Sequence, residues 1–290
     1  MKCLVTGGSG FLGSHIADEL TKRGHEVTIV DKRVSKWKKN NQKMITGNIL
    51  NYNLLKKSIK GKDVVFHFAA LSDIEESLYQ PIKTIKYNIL ATSYILELCK
   101  KYKIKRLIHA STIYVNSDQG GFYRSSKKAA EDYIEEYNKH FSLDYTILRF
   151  GSLYGSRSNK YNGIKKIINY ALKNKEIFYE GSKKTIRQYI HVSDAAKATV
   201  STMGKKYKNQ HVIITGKNKI KLSNFLKFLE IILKTKKKIK FIEKKLVGHY
   251  ISSPYSYIPK IGKKIKIKKE LNFKKGVSNL INEIKNNKNL

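Results

Sequence analysis

The sequence predicts an α/β fold, with a doubly wound parallel sheet followed by a smaller lobe of mixed α/β structure. Three features of the 290 residues predict it. Segments of strand and helix character alternate through most of the first two thirds, a glycine-rich turn joins the first strand to the first helix, and the alternation becomes irregular after residue 155. Because β-α-β units cross over with a right hand, such alternation makes the strands parallel and covers both faces of the sheet with helices.

The alternating part consists of short apolar strands interleaved with amphipathic helices. Strands are predicted at residues 2–6, 26–31, 43–46, 63–69, 104–111 and 144–150. Helices are predicted at residues 11–23, 51–60, 81–101 and 123–140. These elements assign residues 1–155 to the sheet domain.

The rest of the chain, residues 156–290, has a less regular pattern. Helices are predicted at residues 161–174, 192–203, 222–233 and 276–287. Short strands are predicted near residues 177–180, 186–190, 211–214 and 239–242. We expect segments near 186–215 to be interleaved with the sheet and the remainder to form the smaller lobe.

The chain is strongly basic, with 59 Lys and Arg residues against 22 Asp and Glu and a formal net charge of +37. Such a charge can indicate a nucleic acid or an anionic surface as partner. Nearly all of the basic residues are Lys, and Lys, Asn and Ile are abundant from end to end. We therefore interpret the charge as a compositional bias and do not expect nucleic-acid binding. The clusters Lys234–Lys238 and Lys263–Lys269 are the candidates for a polyanion-binding patch.

Several features of the sequence indicate that the protein resides in the reducing cytoplasm. No apolar run is long enough to insert into a membrane, and the N-terminus lacks a signal-peptide pattern. The two cysteines, Cys3 and Cys99, lie in separate apolar segments without the spacing of a metal site or a disulfide framework. We expect no bound metal.

The glycine-rich turn between the first strand and the first helix contains Gly7, Gly10 and Gly13. Such glycines let backbone N–H groups approach a pyrophosphate at the helix N-terminus, which is typical of a Rossmann-type dinucleotide site. Asp31 ends the second strand, where an acid accepts hydrogen bonds from the ribose hydroxyls of NAD. The basic pair at 32–33 follows directly and leaves NADP as an open alternative.

Several short motifs follow one another along the chain, each of them weak alone. They are TGGSGFLG at 6–13, Asp31, GNI at 47–49, HFAA at 67–70, Asn88, Ser111-Thr112, Tyr123-x-x-x-Lys127, LRFGSLYG at 148–155 and RQYIHVSDAA at 187–196. With these motifs the sequence resembles the extended short-chain dehydrogenase/reductase family, in its group of nucleotide-sugar epimerases and dehydratases of the UDP-glucose 4-epimerase type. The resemblance implies an NAD(P)-binding Rossmann domain over 1–155 and a substrate-binding lobe over most of 156–290.

The resemblance also implies roles for individual residues. The catalytic residues would be Thr112, Tyr123 and Lys127. The cofactor-binding residues would be Gly7, Gly10, Phe11, Leu12, Gly13, Asp31, Asn48, Ile49, Phe68, Ala69, Ala70, Asn88, Tyr123 and Lys127. The residues that bind the substrate, a nucleotide-diphosphate sugar, would be Thr112, Ser152 and Arg187. Asn48 stands where the family usually has Asp, Ser152 where it often has Asn, and His67 is interpreted as structural.

The chemistry of the catalytic residues is consistent with this assignment. A phenol has an ordinary pKa near ~10, so Tyr123 needs help to act as a base at neutral pH. Lys127, one helical turn away on the same face, and a positive nicotinamide ring would lower that pKa. Thr112 would bond the same substrate oxygen. The ten residues between Thr112 and Tyr123 form a shorter connection than is usual in the family.

The residues after Thr112 favour one reaction of the group. Ile113 and Tyr114 stand where 4,6-dehydratases of the family carry an Asp-Glu pair, and the Glu common in decarboxylases is missing too. Elimination needs such an extra acid and base, whereas epimerisation needs only oxidation and reduction. We therefore expect NAD-dependent epimerisation at carbon 4 through a keto-sugar, with Tyr123 as acid and base. The alternatives are an NAD(P)H-dependent keto-sugar reductase or other sugar-nucleotide oxidoreductase, and a non-catalytic NAD-sensing or polyanion-binding protein.

Two expectations about contacts complete the prediction. No Arg follows Arg187, so a Lys or a Tyr of HYISSPYSY at 249–257 would supply the second phosphate contact. The family resemblance implies a homodimer, formed through the helix that begins near residue 81 and the helix that contains Tyr123.

Overall fold

The computed structural model describes residues 1–233, 239–242, 249 and 251. The chain divides into two units, Met1–Tyr257 and Ile258–Leu290, and every described residue belongs to the first. The predicted helix at 276–287 and the clusters Lys234–Lys238 and Lys263–Lys269 lie outside the described residues.

The elements of the described part follow the predicted alternation. The strands are, in chain order, β1 (Lys2–Thr6), β2 (Glu26–Asp31), β3 (Gln42–Thr46), β4 (Val64–His67), β5 (Arg106–Thr112), β6 (Tyr145–Phe150), β7 (Ser152–Tyr154), β8 (Phe178–Glu180), β9 (Ile186–Arg187), β10 (Tyr189–His191), β11 (Gln210–Ile214), β12 (Ile220–Lys221) and β13 (Lys240–Ile242). The helices are α1 (Phe11–Lys22), α2 (Tyr52–Ile59), α3 (Ile74–Tyr79), α4 (Pro81–Ile85), α5 (Ala91–Lys101), α6 (Gly121–Phe141), α7 (Gly163–Asn174), α8 (Val192–Ser201) and α9 (Leu222–Leu233).

Seven of these strands form a parallel sheet in the order β3-β2-β1-β4-β5-β6-β11. The chain moves outward from β1 to β3 and then returns to β4 on the other side of β1. Such a reversal leaves a crevice at the carboxyl ends of the strands, where ligands bind in open α/β sheets. The doubly wound Rossmann-type fold is therefore confirmed.

The predicted helix at 81–101 is interrupted. Its residues form α4, a π-helical turn at Lys86–Leu90 and α5, and the additional helix α3 lies just before α4. Asp73 caps α3 by accepting a 2.9 Å hydrogen bond from the backbone N–H of Glu76. Pro81 begins α4, where its missing N–H has no helical partner to lose. The predicted single helix covers α4, the π-helical turn and α5, which follow one another without a gap.

The predicted strand at 186–190 is two short strands. β9 pairs antiparallel with β12, whereas β10 pairs parallel with β7, so the chain changes neighbour between Arg187 and Tyr189. β11 pairs parallel with β6 at the edge of the central sheet. β8 pairs with β13 away from that sheet.

Successive residues of the central strands point into two apolar clusters on opposite faces of the sheet, as the period of a strand requires. In β4, Val65 packs into the cluster that α2, α5 and α6 cover, whereas Phe66 packs into the cluster under α1 and α8. A third cluster joins α7 to α9 and contains Leu226. Helices on both faces thus hold the strand ends at fixed positions around the crevice.

Candidate active site

A cleft of about 630 Å³ opens at the carboxyl ends of the central strands. Most of the residues that the sequence predicted for the site line it. They are Gly7, Gly10, Phe11, Leu12, Gly13, Asp31, Asn48, Ile49, Phe68, Ala69, Ala70, Thr112, Tyr123, Lys127 and Ser152. Asn88 and Arg187 are not among its lining residues.

The glycine-rich turn at the floor of the cleft has no room for side chains. Gly7 has a positive φ of 75°, and a Cβ there would lie 2.7 Å from the backbone nitrogen of Ala69. A Cβ at Gly13 would lie 2.3 Å from the carbonyl oxygen of Gly7. The first turn of α1 carries no acidic residue. The helix N-terminus therefore offers N–H groups and a positive dipole end to an anion.

Asp31 ties this turn to the loop after β2. Its Oδ2 accepts a 3.0 Å hydrogen bond from the N–H of Ser9, and its Oδ1 accepts a 3.1 Å bond from the N–H of Arg33. The Ser9 hydroxyl also donates to the carbonyl oxygen of Arg33, at 2.7 Å. A carboxylate has about four acceptor sites, so Asp31 can still accept from ribose hydroxyls in the cleft.

The Asn48 side chain has fewer free hydrogen-bonding sites than Asp31. Its Oδ1 accepts a 3.0 Å hydrogen bond from the N–H of Leu50, and its Nδ2 donates to the Tyr87 hydroxyl at 2.9 Å. An amide oxygen has two lone pairs, so one acceptor site remains.

His67 lies behind the cleft in a hydrogen-bonded chain whose direction fixes its tautomer. The Thr92 hydroxyl donates to the carbonyl oxygen of Asn88 at 2.7 Å, so it accepts from Nε2–H of His67, at 3.0 Å. The Thr6 hydroxyl, at 2.8 Å, donates to Nδ1. Burial, and to a smaller extent Lys127, lower the pKa of His67 to about 3.

The same Thr6 oxygen accepts hydrogen bonds from the backbone N–H groups of Phe68 and Ala69, both at 3.2 Å. Neutral His67 therefore holds the strand-end segment that lines the cleft. The geometry agrees with a structural role for this histidine.

Asn88 holds the next part of that segment. Its side chain donates to the carbonyl oxygen of Leu71 at 3.0 Å and to the Ser126 hydroxyl at 2.9 Å, and it accepts from the N–H of Leu71 at 2.8 Å. The residue is 1% exposed. Because these contacts use its donors and lie outside the cleft lining, Asn88 braces α6 against the segment after β4 and does not reach the cleft.

Thr112, Tyr123 and Lys127 come together at the end of β5 and the start of α6. The Thr112 hydroxyl lies beside the Tyr123 phenol and lowers the pKa of that phenol. The Nζ of Lys127 donates a 2.8 Å hydrogen bond to the carbonyl oxygen of Ala110. Gly120 and Gly121, with positive φ values of 99° and 52°, let the short connection turn directly into α6.

Burial governs the protonation of the Tyr–Lys pair. It raises the pKa of Tyr123 to about 12, against the lowering effect of the Thr112 hydroxyl. It lowers the pKa of Lys127 to about 8, against the raising effect of Glu131. At neutral pH the cleft thus holds a neutral phenol beside an ammonium. The phenol can donate a proton at once, and it becomes a base when a further positive charge stabilises the phenolate.

Part of the lining was not predicted from the sequence, and it comes from the loop between β7 and α7 and from the start of α3. These residues are Arg157, Asn159, Tyr161, Asn162, Ser72, Asp73 and Ile74. Arg157 has a positive φ of 64°, forms a 2.7 Å ion pair with Asp18 and lies 4.9 Å from the Trp37 ring. Its position two residues after LYG at 153–155 is the one signal that could have pointed to it.

Arg187 lies on β9, where its guanidinium donates to the carbonyl oxygens of Ile186, at 3.0 Å, and Ile251, at 3.5 Å. The HYISSPYSY segment approaches the site through its first residue. His249 Nδ1 lies 3.2 Å from the hydroxyl of Tyr114, which lines the cleft. Apart from Ile251, the other residues of that segment lie outside the described part.

The comparisons with known proteins agree with this geometry. Residues 3–215 match the NAD dependent epimerase/dehydratase family. The chain belongs to this family. The family prediction and the prediction of an NAD-dependent enzyme of the epimerase and dehydratase group are thereby confirmed.

Relatives of similar identity carry names of three different reactions. The chain is 33% identical over 234 residues to dTDP-D-glucose 4,6-dehydratase of Dictyostelium discoideum, covering 68% of this chain and 54%, about half, of that protein. It is 34% identical to UDP-N-acetyl-alpha-D-glucosaminuronate decarboxylase of Bacillus cytotoxicus, covering 73% of this chain and 74% of that protein. It is 32% identical to a putative UDP-glucose 4-epimerase of Methanocaldococcus jannaschii, covering 74% and 77%.

Solved structures give the same family likeness. UDP-glucose 4-epimerase from Thermotoga maritima with UDP-glucose matches with a TM-score of 0.79 and 26% identity, covering 84% of this chain and 86% of that chain. UDP-glucuronic acid 4-epimerase from Bacillus cereus with UDP-glucuronic acid and NAD matches with a TM-score of 0.78 and 25% identity, covering 90% and 95%. Of the helices that the structure describes, none has the length and apolar character that a bilayer crossing requires.

Proposed function

We propose that the chain is an NAD-dependent nucleotide-sugar 4-epimerase that oxidises its substrate transiently to a 4-keto-sugar. The observation that carries the proposal is that Thr112, Tyr123 and Lys127 share one cleft with the glycine-rich turn and Asp31. Acid–base groups for a sugar hydroxyl and a cradle for a dinucleotide are the two parts that such a reaction needs.

The residues present fit NAD. The turn at Gly7 and Gly13 leaves space that a Cβ would fill, next to the N-terminus of α1, which suits a pyrophosphate. Asp31 keeps acceptor sites for the two ribose hydroxyls, whereas its charge would repel the additional phosphate of NADP. Bound NAD supplies the hydride acceptor and the hydride donor of the reaction. Binding of NAD and NADP, measured by calorimetry, distinguishes the two cofactors.

In the proposed mechanism the Tyr123 hydroxyl removes the proton from the sugar hydroxyl and later returns it. The Lys127 ammonium stabilises the phenolate between these steps, and the Thr112 hydroxyl orients the substrate oxygen. Ser152 contributes a hydroxyl on the substrate side of the cleft. We propose Arg187 as a phosphate contact at the far end of the substrate.

The positions of the carboxylates that line the cleft favour epimerisation over the other reactions of the family. Among the described residues that line the cleft, the carboxylates are Asp31 and Asp73. Asp31 holds the glycine-rich turn, and Asp73 caps α3. Neither Ile113 nor Tyr114 supplies the acid that elimination or decarboxylation would use. Transfer of a hydride from the sugar to NAD and back needs no further acid, so it matches the groups present around the Tyr–Lys pair.

The test is product analysis. The protein with NAD is incubated with UDP-, GDP-, dTDP- and CDP-sugars, and the products are identified by mass spectrometry and NMR. An epimer of unchanged mass supports the proposal. A product that has lost water or carbon dioxide contradicts it, and turnover only with an added 4-keto-sugar and reduced cofactor identifies a reductase instead.

We also propose that the enzyme is a homodimer. α4 packs against α6, and apolar side chains on both helices are exposed. These side chains are Ile82 (64% exposed), Ile85 (48%), Phe122 (49%), Tyr133 (52%) and Phe141 (51%). A face with several exposed large apolar residues suits a second copy of the same chain.

A further inference from the structure

The helix α6 carries a row of ionisable side chains at successive turns. Tyr123, Lys127, Glu131 and Glu135 are spaced by four residues, so they lie on one face of the helix. The first two form the proposed catalytic pair. Glu131 is 0% exposed, although a carboxylate is almost never fully buried unless it is paired.

The partners of Glu131 come from two strands. Arg149 of β6 donates to both carboxylate oxygens, from Nε at 3.1 Å and from Nη2 at 2.6 Å. The Ser111 hydroxyl of β5 donates at 2.5 Å. A bidentate guanidinium and a hydroxyl together satisfy the carboxylate, and the bidentate geometry fixes its orientation.

These bonds hold the catalytic helix against the strand that ends at Thr112. Lys127 donates to the carbonyl oxygen of Ala110, and Glu131 accepts from the next residue of β5, Ser111. Two successive turns of α6 are thus bonded to two successive residues of β5. The distance from Tyr123 to Thr112 depends on this register.

Glu131, one helical turn after Lys127 on α6, also supplies the negative charge that raises the pKa of Lys127. Besides the neutral Tyr123 phenol, the titratable groups near Lys127 are His67 of β4 and His109 of β5, and burial keeps both histidines neutral by lowering their pKa values. The two His109 ring nitrogens have no hydrogen-bond partner among the described residues. These rings cannot balance the Lys127 charge.

On its far side, Arg149 contacts His211 Nδ1 at 2.8 Å, and His211 contacts Glu135 at 2.9 Å. The Glu131 charge is therefore held inside a paired network that reaches the surface at Glu135, which is 32% exposed.

We propose that Glu131 is a positioning residue for the Tyr123–Lys127 pair, with a buried carboxylate that fixes α6 on β5 and keeps Lys127 an ammonium. The consequence of this inference for catalysis rests on the proposed function. The effect of Glu131 on the charge of Lys127 is independent of that function.

The test measures the protonation of Lys127 without substrate. The folded protein is labelled with trace acetic anhydride across a pH series, because only the unprotonated amine reacts, and the label on Lys127 is quantified by peptide mass spectrometry. The wild-type midpoint is expected near pH 8. Glu131→Gln removes the neighbouring negative charge, which destabilises the ammonium and lowers the midpoint by about 1 pH unit. Exposed Lys128, on the same peptide, is the internal reference.

Glu135→Gln is the matched control, since it removes a carboxylate one turn further along the same row and should leave the Lys127 midpoint unchanged. If Glu131→Gln fails to fold because Arg149 loses its partner, the double variant Glu131→Gln/Arg149→Gln removes both buried charges. Glu131, one turn from Lys127 on α6, is the charge that raises the pKa of Lys127, so the double variant should also lower the midpoint. An unchanged midpoint in the folded variant overturns the proposal.

Activity then separates this inference from the proposed function. A lowered midpoint in a protein that turns over no nucleotide-sugar contradicts the epimerase proposal and supports the role of Glu131. If the enzyme is active, Glu131→Gln should move the alkaline limb of kcat to lower pH and leave KM almost unchanged. An unmoved limb overturns the positioning role even where the reaction is correct.

Discussion

The Nζ of Lys127 donates a 2.8 Å hydrogen bond to the carbonyl oxygen of Ala110, two residues before the strand end at Thr112. This bond joins α6 to β5 and holds a cation that is 3% exposed. Burying Lys127 therefore costs the fold some stability. That cost leads to the first prediction.

Replacing Lys127 with Met should abolish turnover and stabilise the protein at neutral pH. Burial lowers the pKa of Lys127 from 10.5 to about 8, so the folded state disfavours the proton that the unfolded state binds. Because one pKa unit corresponds to about 1.4 kcal/mol and the bond to Ala110 is lost, we expect a net gain of about 2 kcal/mol. The gain should be present below pH 8 and vanish as the pH rises to 10.5. Urea unfolding of both proteins across this range measures it, and Lys128→Met is the exposed control.

His67 should make the fold sensitive to acid. Its pKa in the folded state is about 3, well below the ordinary 6.5, so the unfolded state binds the proton first as the pH falls. Stability should therefore decline below pH 6.5, by about 2 kcal/mol from this residue between pH 6.5 and 5. Other histidines contribute as well, so the comparison is with His67→Gln, whose loss over the same interval should be smaller by that amount. Equal losses in the two proteins would argue against a neutral His67.

Gly13→Ala should weaken NAD binding by more than about tenfold, because the added Cβ would lie 2.3 Å from the Gly7 carbonyl oxygen and push α1 from the turn. The matched control is Gly163→Ala at the start of α7, where nothing lies within 4 Å of the added Cβ. Fluorescence or calorimetric titration with NAD gives both affinities. Unchanged binding by Gly13→Ala would mean that the pyrophosphate lies elsewhere.

Ile82→Glu should convert a dimer to monomers, because it puts a charge into the exposed apolar face of α4 and α6. Leu172→Glu is the control, since Leu172 is 62% exposed on α7, away from that face. Sedimentation velocity distinguishes the species. A monomeric wild-type protein, or a dimer that tolerates Ile82→Glu, would contradict this interface.

The sequence predicted much of the cleft because its parts are local. The turn at Gly7–Gly13, the strand end at Asp31 and the pair Tyr123–Lys127 each depend on spacing within one element or across one connection. Parallel strands then bring these pieces to one edge of the sheet. The periodicity of the sequence and the order of its motifs are therefore enough to predict this part of the site.

The remaining parts depend on contacts between distant segments. Glu131 is of a residue type that is mostly exposed, and only the packing of β6 against β5 shows that Arg149 meets it. Asn88 lies in the π-helical turn and bonds to Leu71 and Ser126, and Arg187 bonds to the backbone carbonyl oxygens of Ile186 and Ile251. No pattern within a single segment contains these partners, so the sequence alone could not assign them.

The most direct test of the proposed mechanism is the interconversion rate of the preferred nucleotide-sugar by the wild-type protein, Tyr123→Phe and Tyr133→Phe. Tyr133 lies on the same helix and is 52% exposed. We expect Tyr123→Phe to lose at least about 100-fold in kcat, as is usual for a general acid–base, with NAD affinity retained. Tyr133→Phe should keep the wild-type rate. Interconversion by Tyr123→Phe as fast as by the wild-type protein would contradict the mechanism.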